Sequence, residues 1–400
     1  MMDVIVVGAG PAGSMAAKAV AEKGYSVTVY EKGPLKREKP CGGGVSDRVV
    51  KEFGLDHREK FWDRFCQGIF LCSPQNRTVT LYDKAGGKGY LVMREKFDYY
   101  LVEKAQKTGV QFMENTLVEP LVKDGKVRGV KTAGEEIESD VVIACDGTPS
   151  SFARKLDMYT GNDYNQAATF QYQMKMDNKE IDEKIGDNME IYFGHKWVPF
   201  GYTWIFPKKG IVTVGCGTWL YAMKKQRANL KKLLDRFVTE HPVASEKLKN
   251  AEILYPQSAM IGFTGIVRSL YLDNFMVAGD AAGFVSVPTG EGIYYSMISG
   301  KAAGEVAAEA LHAKDTSEKR LKEYKKRIDK KIGSDMKWGY WLRRLVMDKE
   351  KNQEQLVKAS IKDEWIFNMT GQLISGDVGY KRFLMSYSLN PHKLLKLLLS

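Results

Sequence analysis

The chain has 400 residues, a formal net charge of +11, 44% hydrophobic residues and 27% charged residues, which is ordinary for a globular protein of two or three domains. There is no uncharged apolar run of about 18 residues, and the N-terminus leads directly into a strand, so we expect neither a transmembrane helix nor a signal peptide, and a cytoplasmic protein. The five cysteines form no Cys-x-x-Cys pair, which argues against an iron–sulfur cluster or a metal site.

A glycine-rich turn follows the first predicted strand. The pattern predicts a buried strand over 3–7, a helix over 14–23 and a second strand over 26–30, with Gly8-Ala9-Gly10-Pro11-Ala12-Gly13 after the first strand. Gly8 allows the tight turn, Gly10 lets backbone approach a pyrophosphate, and Gly13 lets the helix pack on the strand. Glu31 ends the second strand, where a carboxylate can accept hydrogen bonds from ribose hydroxyls. This favours FAD or NAD over NADP.

The middle of the chain supplies a second segment. The pattern predicts a helix over 94–108, a hairpin of strands over 116–122 and 127–132, and a buried strand over 140–145. Asp146-Gly147 follows that last strand directly. Arg94 begins the predicted helix, and Val118 falls in the first strand of the hairpin.

The third segment comes after a long stretch of strands. Residues 167–259 have mostly the pattern of strands, interrupted by one predicted helix over 224–239. A strand over 274–278 then leads into Gly279-Asp280, where a carboxylate can accept hydrogen bonds from ribityl hydroxyls. A long helix is predicted over 291–312, and its first backbone N–H groups, near Gly290, Gly292 and Ile293, can stabilise negative charge on a reduced flavin.

Taken in order, the three segments describe one FAD held by separate pieces of the chain. We therefore predict an α/β fold: a doubly wound, Rossmann-like FAD-binding domain with an inserted antiparallel β-sheet substrate domain and a C-terminal helical region. The predicted boundaries are 1–65, 93–160 and 270–312 for the FAD-binding domain, 66–92 and 161–269 for the substrate domain, and 313–400 for the helical region.

Three further segments carry a family resemblance. They are Lys39-Pro40-Cys41-Gly42-Gly43-Gly44, Pro199-Phe200-Gly201-Tyr202-Thr203-Trp204-Ile205-Phe206-Pro207-Lys208, and Pro288-Thr289-Gly290-Glu291-Gly292-Ile293. On these motifs, over roughly residues 1–310, the chain resembles the geranylgeranyl reductase family of FAD enzymes, of the digeranylgeranylglycerophospholipid reductase type, within the structural group of para-hydroxybenzoate hydroxylase.

The resemblance implies a function and a site. It implies an FAD-dependent reductase that saturates isolated C=C bonds of prenyl (geranylgeranyl) chains in isoprenoid lipid biosynthesis, with a hydride from flavin N5. It implies a substrate pocket at Tyr202, Trp204 and Phe206, which alternate along one predicted strand and so share a face. Motifs and resemblance together predict these cofactor-binding residues: Gly8, Gly10, Ala12, Gly13, Glu31, Cys41, Gly42, Gly44, Arg94, Val118, Asp146, Gly147, Gly279, Asp280, Gly290, Gly292 and Ile293.

The candidate catalytic residues, which would supply the proton, are Cys41 and Tyr202. Two plainer interpretations stay open: Cys41 as a small side chain that fills space beside the ring, and the aromatic strand as ordinary sheet core. Two other functions stay open as well. One is an FAD-dependent aromatic monooxygenase, and the other is a flavin electron-transfer or lipid-binding protein without alkene chemistry.

The predicted partners are a prenylated lipid substrate and an electron donor, either NAD(P)H or ferredoxin. No nucleic-acid partner is expected, because no such motif accompanies the charge. The basic C-terminal stretch over 380–400 combines leucines with lysines and arginines. It is compatible with a peripheral contact at the inner face of the membrane or with an ordinary docked helix.

Overall fold

The computed structural model describes residues 2–82, 89–393 and 396. In chain order the strands are β1 Met2–Val7, β2 Val27–Tyr30, β3 Gly44–Val45, β4 Arg64–Cys66, β5 Gly68–Cys72, β6 Thr78–Tyr82, β7 Gly89–Leu91, β8 Gln111–Met113, β9 Glu119–Lys123, β10 Lys126–Lys131, β11 Glu136–Ala144, β12 Gln166–Lys175, β13 Asn188–Tyr192, β14 Tyr202–Pro207, β15 Ile211–Trp219, β16 Glu252–Gly262, β17 Tyr271–Leu272 and β18 Phe275–Val277.

Helices surround and follow these strands. In chain order they are α1 Pro11–Ala21, α2 Asp47–Phe53, α3 Arg94–Gln106, α4 Ser151–Lys155, α5 Asn178–Lys184, α6 Leu220–Gln226, α7 Leu230–Glu240, α8 Ala244–Leu248, α9 Ile293–His312, α10 Glu318–Ile328, α11 Ser334–Val346, α12 Glu350–Lys362, α13 Glu364–Ser375 and α14 Tyr380–Leu389.

The first sheet is built around β1. Its strand order is β17-β18-β11-β1-β2-β8, with the β9–β10 hairpin joined to β11. β1 runs parallel to both β2 and β11, and its residues 4–7 are buried, because helices cover the faces of a parallel sheet. The turn after β1 therefore lies at the carboxyl end of a central strand, where α/β sheets bind their ligands.

The second sheet has the order β16-β12-β15-β14-β13-β5-β6. Its pairs are antiparallel except for β13 and β5, which run parallel. A small third sheet, β3-β7-β4, lies beside the 39–44 loop, since Gly44 pairs with Leu91. This is the α/β architecture that the sequence predicts; the proposed division into domain ranges stays a prediction.

Several local predictions need correction. The helix predicted over 224–239 is two helices, α6 and α7, because Arg227 adopts a left-handed conformation (φ 49°) and Asn229 caps α7 by accepting from the Lys232 N–H. Val118 lies in the loop before β9 rather than in a strand. α9 begins at Ile293, two residues later than predicted, with Gly292 as its N-cap.

The C-terminal helices form a core of their own. Residues of α11, α12, α13 and α14 pack together, among them Leu342, Ala359, Ile366 and Phe383. In the described part of the chain no helix combines the length and apolarity needed to cross a bilayer. The C-terminal leucines of the sequence prediction, Leu394, Leu395, Leu397, Leu398 and Leu399, lie outside the described residues.

α1 and α9 pack backbone against backbone. A Cβ placed on Gly300 of α9 would lie 2.0 Å from the carbonyl oxygen of Ala12 in α1, and one on Gly304 would lie 2.2 Å from that of Ala16. Real Cβ atoms do not approach oxygen so closely. Gly300 and Gly304 thus let α9 press α1 into place behind the glycine-rich turn.

We predict that Gly300→Ala lowers the free energy of unfolding by about 2 kcal/mol or more, because the methyl group must push two backbones apart. Urea unfolding followed by circular dichroism measures this. Gly134→Ala is the matched control, since a Cβ there has no described atom within 4 Å. Equal effects of the two substitutions would contradict the packing argument.

Candidate functional site

The three glycine-bearing segments meet at the carboxyl end of β1. Gly8 has φ +98°, and a Cβ on it would lie 2.4 Å from the carbonyl oxygen of Cys145, the residue before Asp146. A Cβ on Gly279 would lie 2.7 Å from the Cβ of Ala12. The hydroxyl of Thr148 donates to the carbonyl oxygen of Asp280 at 2.5 Å. Each segment therefore contacts the other two, and at Gly8 and Gly279 there is no room for a side chain.

Glu31 lies directly beside the glycine-rich turn. Its side chain is 4% exposed, and one carboxylate oxygen accepts from the Ala9 N–H at 2.8 Å while the other accepts from the Gly33 N–H at 3.2 Å. Arg37 Nη2 lies 3.2 Å from the same carboxylate. Arg37 Nη1 is buried and has no hydrogen-bond partner among the described residues. A polar ligand group at this position would satisfy it.

Space for a ligand backbone lies in front of α1. A Cβ on Gly10 or on Gly147 would have no described atom within 4 Å. Gly10 is the N-cap of α1 and Pro11 is its first residue, so the free N–H groups and the positive end of the helix dipole face this space. The Asp146 carboxylate is occupied in capping α4, because it accepts from the Ser151 and Phe152 N–H groups.

We call the three glycine-bearing segments at the carboxyl end of β1 the cofactor cradle. A cavity of about 250 Å³ continues from this cradle into the space beside the second sheet. At the cradle end it is lined by Pro11, Asp280, Gly292 and Ile293, and on the sheet side by residues of β14, β15 and β16. The predicted site residues that line it are Cys41, Gly42, Gly44, Arg94, Tyr202, Trp204, Phe206, Asp280, Gly290, Gly292 and Ile293.

The remaining predicted cofactor residues lie at or near the turn rather than on the cavity wall. Gly8, Gly10, Ala12, Gly13, Glu31, Asp146, Gly147 and Gly279 surround the carboxyl end of β1. Val118 is buried in the core and follows Thr116, whose N–H donates to the Glu31 carbonyl oxygen at 2.8 Å.

The aromatic strand β14 faces the cavity with alternate residues. Tyr202, Trp204 and Phe206 line the cavity, whereas Thr203 and Ile205 point to the opposite, buried side of the sheet. The Tyr202 hydroxyl donates to the Thr289 carbonyl oxygen at 2.5 Å, and burial raises its pKa. Its proton is therefore engaged and poorly released at neutral pH.

The 39–44 loop is wedged between the cavity and the second sheet. Gly43 has φ +79°, and a Cβ on it would lie 2.0 Å from the Val92 carbonyl oxygen. A Cβ on Gly42 would lie 2.8 Å from the Phe206 ring. Within this loop the Cys41 sulfur accepts from the Gly43 N–H at 3.3 Å. Cys41 is partly exposed, whereas the other four cysteines are buried.

Opposite charges balance at the cradle end. Lys39 Nζ lies 3.4 Å from an Asp280 carboxylate oxygen, and the Ser296 hydroxyl donates to the other at 3.2 Å. Burial acts to raise the pKa of Asp280, but the positive charges of Lys39 and Arg94 outweigh it, and the pKa lies below its usual value. Arg94, 6% exposed, is fixed by two 2.8 Å bonds to the Asp98 carboxylate.

The structure adds a candidate functional residue that sequence reasoning did not single out. Lys208 ends the aromatic motif and is 1% exposed. Its ammonium donates to three neutral acceptors: the Gly42 carbonyl oxygen at 2.5 Å, the Thr213 hydroxyl at 2.6 Å and the Phe206 carbonyl oxygen at 3.3 Å. Burial lowers its pKa to about 7. Its place at the end of the quoted motif is the one sequence signal that could have identified it.

Two further charged groups on the cavity wall also went unpredicted. Glu291 pairs with Arg48, whose guanidinium lies 3.9 Å from the centre of the Tyr294 ring. Arg343 of α11 lies 4.6 Å from the centre of the Trp219 ring and donates to the Tyr221 hydroxyl at 3.2 Å. Both pairs join segments distant in sequence, so no local pattern reveals them.

Comparison with known proteins places this site in a family. The family described as FAD binding domain matches residues 1–331. The chain is 36% identical over 335 residues to the digeranylgeranylglycerophospholipid reductase of Methanocaldococcus jannaschii, covering 82% of each chain. It is 31% identical over 363 residues to digeranylgeranylglycerophospholipid reductase 2 of Methanopyrus kandleri, covering 88% of each.

A solved structure shows the same fold. The structure of a geranylgeranyl bacteriochlorophyll reductase-like protein from Thermoplasma acidophilum superposes with a TM-score of 0.83 at 24% identity, covering 97% of this chain and 98% of that one. The protein is thus a flavoprotein with an FAD binding domain. More narrowly, the chain belongs to the digeranylgeranylglycerophospholipid reductase family. The predicted family, fold class and cofactor are confirmed.

The residues present fit FAD. The open space at Gly10 in front of α1 suits a pyrophosphate, and Glu31 with the unpartnered Arg37 nitrogen suits the adenosine side. Asp280 and the N-terminus of α9 would hold the flavin side, beside the apolar cavity.

The lowered pKa of Lys208 leads to a stability prediction. Between about pH 7 and the usual lysine value, the folded protein binds fewer protons at Lys208 than the unfolded chain, so wild-type stability gains about 1.4 kcal/mol per pH unit from this group. Lys208→Met lacks this gain, and its stability relative to wild type should fall as pH rises from 7 to 9. Urea unfolding at each pH measures the difference, and parallel curves would contradict the assignment.

Proposed function

We propose that this protein is an FAD-dependent reductase that saturates isolated C=C bonds in the prenyl chains of a glycerophospholipid. The observation that carries the proposal is the continuity of one cavity, from Asp280 and Gly292 at the cofactor cradle to the aromatic face of β14. A flexible prenyl chain suits such an apolar, aromatic-walled space. The names of the relatives support the same reaction class.

The chain contributes alignment, exclusion of water and a proton. Bound reduced FAD supplies the hydride. An isolated alkene has no carbonyl to polarise, so the reaction depends on how firmly the chain is held. Tyr202, Trp204 and Phe206 form one wall, fixed in part by the bond from Tyr202 to Thr289.

We assign the proton donor to Cys41 rather than to Tyr202. Cys41 is a cavity-lining thiol that lies in the loop pressed against the Phe206 ring. The Tyr202 hydroxyl already donates to a carbonyl oxygen, and its raised pKa opposes proton release. Tyr202 then orients the substrate, and Cys41 completes the addition to the second alkene carbon.

The alternative functions are not favoured. An FAD-dependent aromatic monooxygenase or a flavin electron-transfer protein would share the cradle. The relatives that cover most of this chain are instead named as reductases.

Anaerobic enzyme reduced with dithionite and given a geranylgeranylated glycerophospholipid should produce lipids heavier by two hydrogens per step, detected by mass spectrometry. Chemical reduction makes the result independent of whether NAD(P)H or ferredoxin is the natural donor. Cys41→Ala should slow the reaction by about 100-fold, the usual contribution of a positioned acid. The matched control is Cys216→Ala, since Cys216 is buried in the second sheet away from the cavity wall.

The assignment of Cys41 would be contradicted if Cys216→Ala lost all activity, or if Cys41→Ala lost no activity. No mass gain in any prenyl lipid, despite flavin oxidation and reduction, would contradict the proposed reaction itself.

We further propose that the outer face of α11 rests on an anionic lipid surface. Lys337, Trp341, Arg344 and Leu345 follow helical spacing and are exposed, Trp341 by 58% and Leu345 by 41%. Arg343 on the same helix lines the cavity. An apolar and basic face beside the cavity suits a protein whose substrate is a membrane lipid.

The double substitution Trp341→Ser with Leu345→Ser should reduce flotation with vesicles that contain anionic lipid, since it removes the apolar part of this face. The matched control is Ile253→Ser with Leu254→Ser, because these two residues of β16 are exposed by 47% and 43%. The α11 face would be excluded as the contact if both double variants lost vesicle flotation equally, or if neither lost any.

A further inference from the structure

A second pocket also contacts Cys41, and we call it the polar pocket because six of its nine lining residues are charged or polar. Its volume is about 10 Å³, close to the space that one water molecule needs. The six are Glu38, Lys39, Arg94, Glu95, Gln173 and Gln257, and Val92 and Met93 complete the wall. Cys41 lines both this pocket and the large cavity.

Glutamine side chains connect this pocket to the surface. Gln257 Nε2 donates to a carboxylate oxygen of exposed Glu38 at 3.1 Å, and the Tyr255 hydroxyl donates to the other at 2.7 Å. Gln257 Oε1 accepts from Gln171 Nε2 at 2.7 Å. Gln171 Nε2 also lies 3.4 Å from the Cys41 carbonyl oxygen. Polar groups therefore run from solvent at Glu38 to the back of the Cys41 loop.

The inner end of the network is Lys208. The Thr213 hydroxyl accepts from Lys208 at 2.6 Å and donates to Gln173 Oε1 at 2.7 Å. Lys208 also holds the Gly42 carbonyl oxygen, so a change at Lys208 acts on the Cys41 loop. A Cβ on Gly43 would lie 3.4 Å from Lys208 Cε, so Lys208 contacts the loop two residues after Cys41.

We propose that this polar pocket returns protons from solvent to Cys41, with Glu38 at its entrance and Lys208 as the positioning residue at its inner end. The inference rests on the proposed reduction, because each saturated bond consumes one proton. Hydride adds to one alkene carbon, the S–H bond of Cys41 breaks, and its proton forms the second C–H bond. The thiolate left behind takes a proton from water in the pocket, the resulting hydroxide takes the proton of the Glu38 carboxyl group, and the Glu38 carboxylate takes a proton from solvent.

The need for such a route follows from the cavity. The aromatic wall that aligns a prenyl chain also excludes water, so a second proton cannot reach Cys41 past a bound substrate. The polar pocket offers a second contact to Cys41. The charged and titratable groups near Cys41 come from four segments: Glu38 and Lys39 in its own segment, Arg94 and Glu95 in α3, Tyr202 and Lys208 in and after β14, and Asp63, which acts on Lys208.

The route is tested by separating the first reduction from later ones. Anaerobic rapid-quench experiments with reduced enzyme in excess dithionite, which reduces the flavin again after each step, should show a normal first reduction in Glu38→Gln and Gln257→Leu, because Cys41 already carries its proton. Later reductions should slow by about tenfold, and small weak acids should restore them. Equal slowing of all reductions, or no slowing of the later ones, would overturn the proposal.

The role of Lys208 is tested without turnover. The rate of Cys41 alkylation by iodoacetamide, followed by peptide mass spectrometry in the FAD-loaded protein, reports how accessible the thiol is. Lys208→Met should raise this rate by about threefold, because the loop loses the bond that holds the Gly42 carbonyl oxygen, and Lys208→Arg, which keeps a donor, should preserve it. Lys247→Met is the matched control, since Lys247 is the largely buried partner of Glu190 in the same sheet domain.

An equal effect of Lys208→Met and Lys247→Met, or none from either, would remove Lys208 from the route. Because alkylation needs no prenyl substrate, this result stays readable if the proposed reduction fails. A missing mass gain in every lipid, with the Lys208 effect intact, would contradict the function and leave the role of Lys208 in holding the Cys41 loop standing.

Discussion

Close contact between backbones at the end of β1 is the constraint on which the rest of the structure depends. Gly8 touches the carbonyl of Cys145, Gly13 touches that of Gly8, and Gly300 of α9 touches that of Ala12. These approaches are possible only where no side chain intervenes. They bring three distant segments to one edge of the sheet, and the edge then presents N–H groups, Glu31 and Asp280 toward a single cofactor space.

The second sheet supplies the aromatic wall of the cavity that adjoins the cofactor cradle. β14 turns an aromatic face toward the cradle, and the 39–44 loop fills the gap between them so tightly that Gly42 and Gly43 admit no side chain. The loop is held from behind by an ammonium bound only to neutral oxygens, an arrangement that costs stability and lowers the pKa of Lys208 to about 7. A cost of this kind, located beside the candidate proton donor, is typical of functional sites.

The sequence predicted the parts of the site that repeat a known local pattern. The strand, glycine turn, helix and acid from Asp3 to Glu31 could be interpreted because each element depends on its neighbours in the chain. The helix break at Arg227 could not be predicted from the sequence, since the apolar spacing continues across this residue although its left-handed conformation ends the helix. The lysine, glutamine and arginine contacts of Lys208, Gln257 and Arg343 join separate elements, and only the folded chain brings them together.

In the proposed reaction, electrons leave the cofactor for an alkene held in the apolar cavity. Stopped-flow absorbance can follow this transfer when the reduced, FAD-loaded enzyme is mixed with a geranylgeranylated glycerophospholipid without oxygen. Oxidised flavin should return in proportion to the double bonds lost, and saturated lipid should give no change. Reoxidation that occurs only when oxygen is admitted, whatever lipid is present, would contradict the proposed reaction.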